Sequence, residues 1–94
     1  MHIQVKADTL ALQGELTIMS IQRDDENQLL AALSDQINTL DLSEVTRADS
    51  ACVSLLLCAL RKRPITIKNL PRSVQLLIEL YDLSTVMEPK KNAQ

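Results

Sequence analysis

Apolar positions recur along the chain at two spacings. Ile3 to Lys6 alternates apolar and polar residues, and Thr9 to Gln13 does so again, with Ala7-Asp8 between them. A period of two over two short runs predicts a β-hairpin. Gly14, the only glycine, is expected to break the second strand before Glu15. Leu16 to Ile21 follows neither period. Asp24 or Asp25 is suited to cap a helix running to about Ser34, with Glu26 in its first turn and Leu29, Leu30, Leu33 and Ile37 as its apolar stripe. The run INTLDL, Ile37 to Leu42, predicts a strand anchored by Ile37, Leu40 and Leu42, and Ser43 to Ala48 a polar connection. Asp49 and Ser50 are both good N-caps, and the helix they open should reach about Arg63. Arg61, Lys62 and Arg63 suit the negative end of that helix dipole, and Pro64 stops it. Ile65 to Lys68 predicts a short strand. Pro71 fits the first position of a last helix with the stripe Val74, Leu77, Ile78 and Tyr81.

The element order is therefore β-β-α-β-α-β-α, an α/β fold. Strand–helix–strand alternation over the last two-thirds implies parallel pairs joined by right-handed crossovers, and the hairpin adds an antiparallel pair. The expectation is a mixed four-stranded sheet packed against helices, one domain over residues 1–94. Beyond Glu88-Pro89 the tail KKNAQ, within residues 89–94, is expected to fray.

The segment from Ala51 to Leu60, ACVSLLLCAL, changes this picture most, because Ser54 is its only polar residue. A helix on one face of a sheet is normally polar on its outer side. Either this helix is buried between the sheet and a neighbouring helix, or its first turn is covered by another protein.

Composition narrows the partner. Seventeen Leu, seven Ile and five Val face one Tyr and no Phe or Trp, so the core is aliphatic. Ten Lys and Arg against twelve Asp and Glu give a net charge of −2. That balance argues against nucleic acid, which needs a positive surface and stacking groups. The polar start MHIQVKADTL lacks the apolar stretch of a signal peptide, and the longest apolar run, Leu55 to Leu60, is too short to span a bilayer. A cytoplasmic protein without direct membrane insertion is expected. Cys52 and Cys58 on one helix would be separated by about 9 Å of rise, beyond disulfide reach, and read as small core residues.

Catalytic chemistry finds little support. The single histidine, His2, sits at the chain end, and no serine has a plausible histidine base. One glycine cannot build a phosphate-binding loop. No His/Cys/Asp/Glu cluster has metal-ligand spacing, and Asp24, Asp25 and Glu26 read as an acidic helix start. The expectation is a protein that is not an enzyme and takes no cofactor.

Gly14-Glu15-Leu16, Asp41-Leu42-Ser43, Asp49-Ser50 opening an apolar helix, and the ending Leu80-Tyr81-Asp82-Leu83 occur in that order between Leu10 and Val86. In order and spacing they resemble the STAS domain, the family named for sulphate transporters and anti-sigma-factor antagonists. The resemblance implies a mixed sheet with helices and a protein partner bound at the Asp-Ser helix start. Two branches of the family differ there. Anti-sigma-factor antagonists open the helix Asp-Ser-Ser-Gly, and a partner kinase phosphorylates the second Ser. Here that position is Ala51, without a hydroxyl, and Cys52 stands where the glycine would be. MlaB-like proteins, cytoplasmic accessory subunits of the Mla phospholipid ABC transporter, carry a Thr after the Asp and no second hydroxyl. Ser50 matches that Thr in position and chemistry.

The resemblance thus implies a subunit that binds and tunes the ATPase subunit of a phospholipid transporter, and through it the inner-membrane permease of a Gram-negative cell. The alternative is an anti-sigma-factor antagonist controlled by phosphorylation. The expected partner-binding residues are Ser50, an exposed apolar turn of Ala51, Cys52 and Val53, and a polar rim of Arg47 and Asp49.

Overall fold

The computed structural model describes residues 1–83. Val86, Glu88-Pro89 and the tail expected to fray over 89–94 lie outside the described residues. Seven elements follow in the order β1 (His2–Lys6), β2 (Thr9–Leu16), α1 (Arg23–Ala32), β3 (Thr39–Ala48), α2 (Ser50–Lys62), β4 (Thr66–Lys68) and α3 (Arg72–Leu80). The fold is α/β with a four-stranded mixed sheet and three helices, as the periodicity predicts.

The strands lie in the order β1-β2-β3-β4. β1 pairs antiparallel with β2 from His2↔Gln13 to Lys6↔Thr9, closed by Ala7 at φ +55°. β2 pairs parallel with β3, and β3 with β4, so the chain crosses over through α1 and α2. Leu10, Leu12 and Leu16 of β2 and Leu40 and Leu42 of β3 are buried. Leu29 of α1, Leu33 at its C-cap, Leu55, Leu56 and Ala59 of α2, and Val74 and Ile78 of α3 join them in one aliphatic core. The other side of the sheet is polar, with Gln4, Lys6, Gln13, Asp41 and Ser43 around a shallow depression.

Several boundaries differ from the sequence expectation. Gly14 does not end β2. It sits at φ +94° where the β2–β3 register shifts, and the strand bulges and continues to Leu16. Ser43 to Ala48 is not a connection but the second half of β3, paired to β2 from Gln13↔Glu44 to Leu16↔Ala48. Its side chains are largely exposed, so the pattern reads polar although the backbone is held in the ladder. Ile37 is buried ahead of β3 instead of within it. The α1 N-cap is Gln22 rather than Asp24 or Asp25. Asp25 Oδ2 accepts from the Gln22 backbone N–H at 2.8 Å, half of a capping box. Pro71 is the N-cap of α3, one place before its first turn, and Tyr81 lies beyond the helix, 48% exposed, outside the α3 stripe.

α2 answers the question its composition raises. It packs between α1 and α3, and its Cys52, Val53, Leu55, Leu56 and Ala59 are buried in the cluster they share with the leucines of β2 and β3. Burial on several sides accounts for its apolar sequence. Its end is tied to the α1–β3 loop by Arg63, whose Nη1 pairs with Asp35 Oδ1 at 3.0 Å.

Candidate docking site at the start of helix α2

The parallel strands β2 and β3 both end beside the first turn of α2. Asp49 occupies the N-cap, and its Oδ1 accepts from the Ala51 backbone N–H at 2.8 Å, satisfying one of the helix's unpaired donors. The same carboxylate reaches across to the loop after β2. Both of its oxygens lie 3.1 Å from the Ile18 backbone N–H. The loop is closed further by Ser20 Oγ, which accepts from the Thr17 N–H and donates to the Glu15 carbonyl, each at 3.0 Å. A fixed loop thus stands against the helix start, and it exposes two large apolar side chains, Ile18 at 70% and Met19 at 91%.

A cleft of about 320 Å³ runs between this loop, α1 and α2, lined by Ile18, Ile21, Arg23, Glu26, Ser50, Ala51, Ser54 and Leu55 among others. Its floor is apolar or small, and its charged groups come from the first turn of α1.

A family model described as "Mlab, STAS domain" matches residues 1–89. The chain belongs to the STAS domain family. No curated protein sequence matches it.

In this STAS domain the residues expected to bind a partner divide into two groups. Ser50 and Ala51 are half-buried and line the cleft. Arg47 is exposed near the end of β3, opposite Glu15 in the strand register. Asp49 is also half-buried, but its carboxylate is engaged by two backbone donors of its own chain. Cys52 and Val53 do not form an exposed turn, because at 0% and 4% exposure both belong to the core. Helical geometry accounts for this: two residues after Ser50 the helix has turned its face inward, and Cys52 falls on the same buried stripe as Leu56 and Ala59, four and seven residues on.

The cysteines differ in environment. Burial, with a smaller effect from the nearby Asp49 charge, pushes the Cys52 thiol up to about 12. Cys58 is only partly buried, against the expectation of two core thiols. Burial and then the acceptor Glu26 Oε2, 3.3 Å away, raise its pKa as well.

Sequence reasoning missed Ile18 and Met19. The signal was present, since two adjacent large apolar residues between Thr17 and Ser20 fit neither a strand alternation nor a helix stripe. Among the described residues no helix is long and apolar enough to cross a membrane.

Proposed function

We propose that this STAS domain is a non-catalytic, MlaB-like accessory subunit. It docks through the start of α2 on the ATPase subunit of a phospholipid ABC transporter at the cytoplasmic side of the inner membrane, and stabilises or tunes that subunit. The observation that carries this reading is the sequence Asp49-Ser50-Ala51 at the helix start. It presents one hydroxyl after the capping Asp and a methyl group where a phosphorylation switch needs a second hydroxyl. The name Mlab in the matched family description supports the same branch. Ser50 and Ala51 are small and line an accessible cleft, so a partner's backbone can approach closely.

The Asp-Ser start is shared with anti-sigma-factor antagonists, and the absent second hydroxyl speaks against that role. Affinity purification of the tagged chain from its native cell, with partners and phosphate read by mass spectrometry, tests the choice. Recovery of an ATPase and a permease, with no phosphate on Ser50, is the expected result. Recovery of a kinase-type anti-sigma factor, or stoichiometric phosphate on Ser50, would establish the alternative.

A further inference from the structure

We infer that Asp49 sets the geometry of the docking cleft: its carboxylate ties the turn over residues 17–21 to the first turn of α2, so it is a positioning residue that governs partner affinity through Ile18 and Ala51 instead of meeting the partner itself. This rests on the docking reading above and deepens it.

The two walls of the cleft meet on one atom. Asp49 Oδ1 accepts from the Ala51 N–H at 2.8 Å and from the Ile18 N–H at 3.1 Å, and its Oδ2 accepts from Ile18 at 3.1 Å as well. Ala51 lines the cleft from the helix, and Ile18 lines it from the turn. The separation of these walls is therefore fixed by the reach of a single side chain. A charged acceptor also holds such donors more firmly than a neutral one.

The turn has no comparable tie elsewhere. Ser20 Oγ accepts from the Thr17 N–H and donates to the Glu15 carbonyl, and the Ser20 and Ile21 N–H groups both donate to the Thr17 carbonyl, at 3.0 and 2.9 Å. Among the described residues, every hydrogen bond of residues 17–21 other than that to Asp49 stays within the turn or returns to Glu15. The turn is thus rigid in itself and is joined to α2 by the Ile18–Asp49 bond, while Ile21 packs against the core at its far end. Without that bond the turn can swing as a unit and carry the Ile18 wall away from Ser50 and Ala51. A partner would then have to order the turn on binding, at a cost in affinity. Capping and latching are separable. Serine is as good an N-cap as aspartate, but its one hydroxyl oxygen lies closer to the backbone and is used by the helix.

The test compares wild type, Asp49→Ser and Asp49→Asn, by amide hydrogen exchange of the chain alone and by calorimetric titration into the purified ATPase subunit. In Asp49→Ser the Ala51 amide should stay protected while the Ile18 amide exchanges about tenfold faster or more. Binding by the same variant should weaken about tenfold. Asp49→Asn, whose amide oxygen can accept from both donors, should restore most of the Ile18 protection and most of the affinity. If Asp49 were a helix cap and nothing more, Asp49→Ser would bind like wild type. Unchanged Ile18 exchange in Asp49→Ser would overturn the latch. Faster exchange with unchanged affinity would overturn its part in docking and leave the docking reading intact. No wild-type binding to the ATPase would overturn both.

Discussion

Asp49 shows how much one side chain can organise. As an N-cap it was legible in the sequence, because Asp followed by an apolar run starts a helix. Its second bond, to the N–H of Ile18 thirty-one positions away, was not, since no local pattern records which loop a cap will face. Asp49→Ala removes both. The cap alone contributes about 1 kcal/mol, and stranding the Ile18 donor adds about 1 more. A thermal melt should therefore fall by roughly 8–15 °C for a domain of this size, with Asp49→Asn, which keeps one acceptor, falling less. Cys52 offers a second residue-scale check. Its thiol is raised from 9.0 to about 12, so the folded chain keeps the proton after the unfolded chain has released it. Its stabilising effect is complete below about pH 9 and is lost as pH rises toward 12. Urea titrations across that window should show a steeper loss for wild type than for Cys52→Ala. A thiol reagent at neutral pH should label Cys58 first and Cys52 only on unfolding.

At the scale of elements, the helices were easier to place than the strands. α2 was legible to within a residue because a cap, a basic last turn and a proline all marked its ends. β3 was half missed. Thr39 to Leu42 alternates clearly, but beyond it the strand has one face open to solvent and a bulged register, so its polar residues read as a loop. Gly14 misled in the same way, because a glycine that ends a strand and one that bulges it look alike in sequence. The bulge yields a prediction. An added Cβ at Gly14 meets nothing within 4 Å, so Gly14→Ala is penalised by its φ of +94° alone. The expected loss is about 1–2 kcal/mol, measured by urea unfolding. On α2, Leu56→Ala empties a fully buried position and should cost about 2–5 kcal/mol. Ser54→Ala, on the exposed side, should change stability by less than about 0.5 kcal/mol.

Across the whole molecule, one aliphatic core unites the sheet face with all three helices, leaving a polar sheet face opposite and the β2–α1 loop and helix start at one end. The β-β-α-β-α-β-α order was legible because each crossover helix announces the parallel strand that follows. The site was legible only in part. Ser50 and Ala51 line the cleft as expected, whereas Cys52 and Val53 went to the core and Ile18 and Met19 were overlooked. Their one signal was negative: two adjacent large apolar residues that fit neither period, in a segment where no element was expected. The central claim, docking at the start of α2, is tested most directly by Ser50→Arg. The variant and wild type are each mixed with the ATPase subunit for co-purification and melted alone. A bulky cation at a contact that should exclude water would abolish co-purification, while the melt stays within a few degrees of wild type, since Asp49 still caps the helix. Undiminished co-purification of Ser50→Arg with the ATPase would contradict the account.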